Sequence, residues 1–419
     1  MAGTTSASAD TSGSAGASGA GPLAGVRVLE LGTMYAAPTA GRMLRDFGAD
    51  VVKVEDPVTG DYARQWVPQK DGLTLGFARL NAGKRSVGVD LRDPEGRALV
   101  RRLAAQSDVV VESFRPERLE KWGLGYERLA ADNPALVLTR VSGFGQTGPY
   151  KSQPGFGTVA ETASGFAQIN GWPQLPPTSP PFGFADSIAG IAAAMGTAMA
   201  LYRRERTGQG EVVDVALYEP LMFIIGDMLL KYTGLGEIQG RIGNGTGAAS
   251  PRGIYEAADG KYLSIAASNQ AIAERLFSAM GCPELIEHPH FATNAARLAN
   301  NDEVQQRVRD WVGSLPRAKA LALLEEHEVV NAPVNDAADI VADPHFLQRT
   351  LVGITGRDEL AGSLMPGPIL HLAGYDGPVY DGVPRIGEHT GAMLGERLGL
   401  AESELDELGG RGVIASGAR

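Results

Sequence analysis

Between Val26 and Phe144 the sequence switches repeatedly between short apolar runs and stretches of helical spacing. "VRVLELG" (26–32) is rich in β-branched residues and ends on glycine, "APTAGRMLRDFGA" (37–49) has helical spacing, and "DVVKVED" (50–56) is apolar again. Strand, short helix and strand make a βαβ unit, whose two strands lie parallel in one sheet. The pattern recurs with "SVGVDL" (86–91), "DPEGRALVRRLAAQS" (93–107), "DVVVESF" (108–114), "ERLAADNP" (127–134) and "ALVLTRVSGF" (135–144). Such alternation predicts an α/β fold, a doubly wound Rossmann-like large domain that binds ligands beyond the carboxyl ends of its strands. The loops at those ends are "GTMYAAP" (32–38), "EDPVTGD" (55–61), "ESFRPE" (112–117) and "SGFGQTGPY" (142–150). No G-x-G-x-x-G follows the first strand and no G-x-x-x-x-G-K-[ST] occurs, which disfavours an ordinary dinucleotide site and a P-loop.

The pattern changes after a long helix running through Glu205 and the strand "EVVDVALYE" (211–219). "GRIGNGTGAASPRG" (240–253) is a glycine-rich loop, "KYLSIAAS" (261–268) reads as a strand, and "NDEVQQRVRDWVGSL" and "RAKALALLEEHE" read as amphipathic helices. The expected division is a large domain over 22–220, a linker over 221–244, a smaller α+β domain over 245–330, and a return to the large domain over 331–419. Residues 1–21, a Ser/Ala/Gly/Thr tract with neither a basic start nor an apolar core, are read as a disordered tail and not a secretory signal. The longest uncharged apolar run, Ile188 to Tyr202, is shorter than the roughly 20 residues a membrane span needs, so a buried helix and no membrane role are expected.

Charge and cysteine content narrow the partners. With 38 Lys+Arg against 49 Asp+Glu the net charge is −11, so non-specific nucleic-acid binding is disfavoured, while a local basic pocket for a phosphorylated ligand remains open. The single cysteine, Cys282, leaves no internal disulfide and no thiolate metal cluster, which suits a cytoplasmic setting. His288 and His290 in "EHPHF" are too few for a metal site and are read as structural or surface residues; no metal and no cofactor is expected.

Within this frame Asp186 stands out: "PPFGFADSIAGIAAAMGTAMALYRRE" (180–205) places one acid before an uncharged, small-residue helix. One reading is an N-cap for a helix beginning at Ser187. The other adds chemistry: a helix N-terminus favours the anion, and an ionised carboxylate needs no base to act as a nucleophile toward an acyl group.

The blocks "GPLAGVRVLELGTMYAAPTAGRMLRDFGADVVKVEDPVTGD", "RLNAGKRSVGVDLRDPEGR", "DVVVESFRPERLEKWGLGYERLAADNPALVLTRVSGFGQTGPY", "FADSIAG" and "RERTGQGEVVDVALYE" together resemble the class III coenzyme A-transferase family, which includes formyl-CoA and carnitine CoA-transferases and α-methylacyl-CoA racemases. The resemblance runs from about Gly21 to the C-terminus and is strong to about residue 220. It implies that Asp186, in a D-x-x-x-G segment with Gly190, is the nucleophile, forming an acyl-aspartyl anhydride and then an aspartyl-CoA thioester. It further implies an interlocked homodimer acting on an acyl-CoA and a free carboxylic acid.

Carried over residue by residue, "LNAGKRS" nominates Asn81, Lys84 and Arg85 at the adenosine and phosphates of CoA; two adjacent cations suit phosphate, or else a solvated basic face. Lys121 and Trp122 match the family's basic and apolar residues around the adenine, Trp122 stacking on the base or serving as core, and Arg115 is a third cation. Tyr35 stands where formyl-CoA transferase has a pocket-lining glutamine, so that enzyme's substrate does not transfer. The racemase branch carries G-H-D where this chain has "GFG" (155–157); Phe156 cannot titrate, and racemisation needs two acid/base groups. Glu161 is read as a helix side chain that could also act as a local acid. Gly243, Asn244, Gly245 and Gly247 fall in the counterpart of a mobile covering loop, or in a flexible connection. The leading expectation is transfer of CoA from an acyl-CoA thioester to a free carboxylate. The alternatives are an acyl-CoA isomerase or racemase, and a non-catalytic acyl-CoA-binding protein.

Overall fold

Val28 and Leu29, Val52 and Val54, Val109, Val110 and Val111, and Val137 and Leu138 are all buried. Successive strand residues point to opposite faces, so burial of consecutive ones means that both faces of the sheet are covered, as a parallel sheet requires. The computed structural model describes residues 20–356 and 358–415; the tail predicted over 1–21 lies almost wholly outside the described residues. The chain divides into two compact units, one comprising the chain up to Phe156, Asp186–Leu217 and everything from Thr350, the other Gly157–Ala185 and Tyr218–Arg349.

The first unit is built on six strands: β1 (Arg27–Glu30), β2 (Asp50–Glu55), β3 (Arg85–Gly88), β4 (Val109–Glu112), β5 (Val137–Ser142) and β6 (Val212–Ala216). They pair in the order β3-β2-β1-β4-β5-β6, every neighbour parallel. The order reverses between β1 and β4, which makes the carboxyl ends of those strands the place to look for a site. Helices α1 (Ala36–Asp46), α2 (Leu75–Asn81), α3 (Pro94–Ala105) and α4 (Tyr126–Asp132) occupy the connections. Helix α3 starts where its sequence says: Asp93 accepts the Glu95 amide and Pro94 takes the first helical position, where a missing N–H costs nothing.

In the second unit three antiparallel strands, Arg252–Glu256, Tyr262–Ala266 and Asn331–Pro333, pack with the helices Gln270–Ala279, Asn301–Gly313 and Arg317–Glu326 around Leu263, Ile265, Leu276, Val308 and Leu324. Asn331–Pro333, which the sequence placed in the returning segment, is an edge strand of this sheet. Three residues are too few to show a period of two. The segment from Gly157 to Ala185, with the short helix α5 (Gly157–Ala163), also belongs to this unit.

Helix α6 (Phe184–Thr207) differs from expectation twice. It begins at Phe184 and not at Ser187, so Asp186 is the third helical residue and not the N-cap. The extra turn is held by Phe184, whose ring lies 5.1 Å from that of Phe166 and 6.0 Å from that of Phe182. Nor is the helix wholly buried. Ala189, Ala193 and Ala200 are enclosed, and Thr197 meets Thr139 of β5 with hydroxyls 2.6 Å apart, but Ile191, Met195, Met199 and Tyr202 are exposed. By length and composition alone α6 could cross a membrane.

Candidate active site

The loop that follows β1 rests on a buried lattice of charges. Glu30 ends β1 and is paired in register with Lys53 of β2. The Lys53 ammonium donates to Glu30 Oε1 (3.0 Å) and to the Gly32 carbonyl (2.8 Å), and sits 2.7 Å from Asp61 Oδ2. Asp61 accepts the Met34 and Ala63 amides, each at 2.9 Å, and its own amide donates to Glu55. Arg64 grips Glu55 with two N–H groups at 2.8 and 2.7 Å. Burial alone would lower the Lys53 pKa, but Glu30, Asp61 and Glu55 together hold it above the ordinary lysine range. Burial would likewise raise Asp61, yet Lys53 and the two amides keep it below the usual carboxylate range. The lattice has a conformational consequence: Met34 is held at φ 68, a left-handed conformation that a non-glycine residue adopts only when its surroundings fix it. Tyr35 follows and opens α1.

Asn81 and Lys84 join this lattice from its far side. Lys84 is buried, and its ammonium donates to Glu30 Oε2 (2.7 Å), the Pro38 carbonyl (2.9 Å) and Asn81 Oδ1 (2.9 Å), so its donors are spent inside the fold supporting α1. Burial pushes its pKa down to about 8, against the pull of Glu30. Asn81 in turn donates to the Phe77 carbonyl at 3.0 Å. Arg85 is not brought to this place: it pairs, as does Arg397, with Asp50 at the amino end of β2. Sequence adjacency of Lys84 and Arg85 therefore does not make them neighbours in function, because consecutive residues at a strand start point opposite ways.

Arg115, Lys121 and Trp122 lie beyond the carboxyl end of β4. Glu112, which ends that strand, accepts the Phe114 amide (2.7 Å) and the Arg140 Nε–H (2.7 Å). Burial pushes the Glu112 carboxyl up to about 7, with Arg140 opposing. Phe114 meets Trp122 edge-on at 5.1 Å, and Trp122 also packs against the core under the guanidinium of Arg118, 5.3 Å from the ring. Arg115 and Lys121 are exposed. Lys151, from the loop after β5, joins them through Glu117, 3.3 Å away. The resulting group of cations lies at the carboxyl ends of β4 and β5.

Asp186 is half-buried in the first turn of α6. A capping role at this helix end is filled by Glu161, itself buried, whose Oε1 accepts the Ala185 amide at 3.3 Å. Four residues on, Gly190 lies on the same face as Asp186 and meets α1: a Cβ there would stand 2.5 Å from Thr39 Cβ and 2.6 Å from the Ala36 carbonyl oxygen. Only glycine permits this approach, and Asp186 lies one turn, about 6 Å along the α6 axis, from this contact with the first turn of α1. Tyr35 stands at that start. Its hydroxyl accepts a hydrogen bond from Arg79 of α2 at 2.6 Å, and the Arg79 guanidinium lies 5.2 Å from its ring centre. Phe156 follows Gly155, whose backbone lies against Gly143 beyond β5, and is exposed.

The remaining predicted residues are in the second unit. Arg241 donates to the carbonyls of Gln168 (3.1 Å) and Trp172 (3.2 Å), and the Gly243 amide to that of Gly171 (2.9 Å). Gly243 has φ 66, and a side chain there would strike Trp172. At the other root Ser250 is buried, donating to Asn301 (2.8 Å) and accepting from the enclosed Arg297 (2.6 Å). Asn244, Gly245 and Gly247 lie in the exposed stretch between these two fixed roots. His290 pairs with Glu303 at 2.8 Å and His288 stacks on Phe291. Among the described residues no group of three or more His, Cys, Asp or Glu side chains is set to hold a metal. A cleft of about 500 Å³ lined by Arg64, Thr74, Phe77 and Arg385 contains none of the predicted residues.

Sequence reasoning missed Arg79, which leaves no local signal, and the lattice of Glu30, Lys53, Asp61 and Glu55, in which Glu30 and Lys53 do leave one. A charge inside an otherwise apolar buried strand, as in "VLELG" and "VVKVED", implies a partner of opposite sign, since an unpaired buried charge is prohibitively costly.

The model of CoA-transferase family III matches residues 23–390. The chain belongs to that family. It is 40% identical over 395 residues, 94% of this chain and 98% of the other, to succinyl-CoA–D-citramalate CoA-transferase of Chloroflexus aurantiacus. It is 36% identical to succinate–glutarate CoA-transferase of Agrobacterium fabrum, over 90% of this chain and 95% of that one. Among solved structures, a CaiB/BaiF family protein from Brucella suis superposes with a TM-score of 0.80 at 34% identity, covering 90% of this chain and all of that one. As a family III CoA-transferase the protein is an enzyme of CoA transfer, and its parallel six-stranded sheet is of the kind found in that structure.

Proposed function

We propose that this enzyme moves CoA from a succinyl-CoA-like thioester to a free dicarboxylate, with Asp186 as the nucleophile. A carboxylate oxygen of Asp186 adds to the thioester carbonyl carbon, the C–S bond breaks, and CoA thiolate leaves a mixed anhydride. The thiolate then attacks the aspartyl acyl carbon of that anhydride, releasing the donor acid and leaving aspartyl-CoA. The acceptor carboxylate repeats the two steps in reverse, and Asp186 is regenerated. Each step exchanges one anion for another, so no proton needs to move and no general base is needed. Thioester is traded for thioester, so the overall reaction is near balance; the demand on the protein is to hold the anhydride away from water.

The observation that carries this reading is the placement of Asp186 in the first turn of a 24-residue helix, one turn before the Gly190 contact with α1. The helix dipole favours the anion there. Phe156, where a racemase needs a proton carrier, supplies none. Succinyl-CoA:mesaconate CoA-transferase of Haloarcula hispanica, 35% identical over 397 residues, and the citramalate and glutarate enzymes support a dicarboxylic acceptor. The exposed cations Arg115, Lys121 and Lys151 are the proposed contacts for the phosphates of CoA, Trp122 beside them is the proposed neighbour of the adenine, and the enzyme is read as acting as a homodimer.

Incubation with succinyl-CoA followed by hydroxylamine or borohydride is expected to mark Asp186, located by peptide mass mapping. Asp186→Asn is expected to lower turnover by at least about a thousand-fold while leaving the fold intact. Undiminished transfer by Asp186→Asn would overturn the mechanism, and deuterium exchange at the α-carbon of the acyl group would turn the reading toward an isomerase.

A further inference from the structure

We infer that Arg79 grips the remote carboxylate of the dicarboxylic acyl group, and that Tyr35 is the positioning residue that holds Arg79 in place. The inference rests on the transferase reading and names a residue by which it would select diacids.

Arg79 has no acid partner among the described residues, and unlike Arg45, whose Nε–H and one Nη–H are taken by the carbonyls of Gly83 and Val379, it spends no guanidinium donor on the main chain. Arg42 is paired with Asp46, Arg64 with Glu55, Arg85 with Asp50, and Arg140 with Glu112 and Glu120. The side chain of Arg79 makes one hydrogen bond, from Nη2 to the Tyr35 hydroxyl, while its main-chain carbonyl is taken by Arg42. A guanidinium has five N–H donors in one plane, and one bond to a phenol leaves enough for a carboxylate to be held by two parallel bonds. The residue is half-buried, so bringing a carboxylate to it completes an ion pair without first breaking one. The Tyr35 ring, over which the guanidinium lies, steadies the fork at one orientation.

Position supports the same role. Tyr35 opens α1, and the first turn of α1 touches Gly190 of α6 on the face that carries Asp186 one turn earlier. The reacting carboxyl carbon of a bound acyl group sits at Asp186. In succinate only three carbon–carbon bonds of about 1.5 Å separate it from the remote carboxyl carbon. The remote carboxylate must therefore be met by a side chain reaching in from an element adjoining the α1–α6 contact. Tyr35 itself offers no positive charge, and Lys84 and Lys53 are consumed by Glu30 and Asp61. Arg79 meets the requirement.

The test compares pairs of acceptors of equal length, succinate against butyrate and glutarate against pentanoate, with acetyl-CoA and with succinyl-CoA as donors and the full-length enzyme. The wild-type enzyme is expected to prefer each diacid. Arg79→Met is expected to lower kcat/KM for diacids about 10- to 100-fold, chiefly through KM, and to leave the monoacids within about threefold. Arg79→Lys, which keeps the charge without the fork, is expected to recover part of the preference, and Tyr35→Phe to raise the KM for diacids while kcat is kept. Equal loss on diacids and monoacids, or no change on either, would overturn the assignment. So would a wild-type enzyme indifferent to the second carboxylate. Thermal melts of each variant identify one that has merely lost its fold, in which case Tyr35→Phe and Arg79→Lys decide. A wild-type enzyme that transfers CoA to no acid and leaves no trapped Asp186 would instead sink the transferase reading itself.

Discussion

Gly190 shows how a residue with no chemistry of its own sets the geometry of the candidate site. The helix that carries Asp186 reaches α1 only because position 190 has no side chain; the carbonyl of Ala36 and the side chain of Thr39 already fill the space that a Cβ would take. Gly190→Val must therefore separate the two helices or rotate one of them. Overpacking of this kind costs about 1–3 kcal/mol, and a displacement of even about 1 Å at a reacting group lowers turnover on the order of 100-fold. Gly190→Val is expected to show both a lower melting temperature and a loss of kcat larger than its loss of stability explains, with Gly190→Ala intermediate. Unchanged kcat in a folded Gly190→Val enzyme would mean that the α1–α6 contact does not position Asp186.

At the scale of elements, Glu112 at the end of β4 offers a test with a definite sign. Burial lifts its carboxyl from the ordinary 4.5 to about 7. A folded-state pKa above the unfolded one means that the folded protein holds the proton more tightly, so the group's contribution to stability is fully present below about pH 4.5 and is lost as pH rises through 7. Relative to Glu112→Gln, which keeps an acceptor for the Phe114 amide and carries no charge, the wild-type protein is expected to lose about 3 kcal/mol of stability between pH 4.5 and pH 7. Denaturant titrations of both proteins across that range would show it, and a constant difference would contradict it. The strand that carries Glu112 was plain in the sequence, as were its neighbours, because strands covered on both faces read as unbroken β-branched runs. Less was legible where partners are far apart in the chain. Glu30 meets Lys84 across 54 positions and Lys53 across 23, and no local pattern links them. The early start of α6 was hidden for the same reason: it depends on Phe166 and Glu161, which belong to the preceding segment. Asp186 could be singled out as the one acid before an uncharged, small-residue helix, and Gly190 through the family resemblance of the segment that holds both. Arg79 could not, because its significance is the lack of an acid partner, a fact about its surroundings.

For the whole molecule the decisive quantity is apolar surface left in water. On α6, Ile191, Met195, Met199 and Tyr202 are spaced four, four and three residues apart and so form one exposed stripe. Independently, the second unit exposes Phe223 at 88%, Leu230 at 71% and Leu235 at 71%. Exposed apolar side chains aligned along one helix mark a contact surface, and the subunit contacts of homodimers are apolar in this way. A net charge of −11 would keep such a chain dispersed, yet it does nothing to satisfy these faces. Sedimentation equilibrium at micromolar concentration is therefore expected to give a mass near twice 44.0 kDa. Replacing both Met195 and Met199 by Asp buries two charges in the proposed contact, where an unpaired carboxylate is far costlier than in water, and is expected to shift the equilibrium to monomer. Asp186 is carried by the same helix as the stripe, so the monomer is also expected to lose turnover as that helix loses its cover. A wild-type enzyme that sediments as a monomer with full activity would show that the stripe on α6 serves something other than a second copy of the chain.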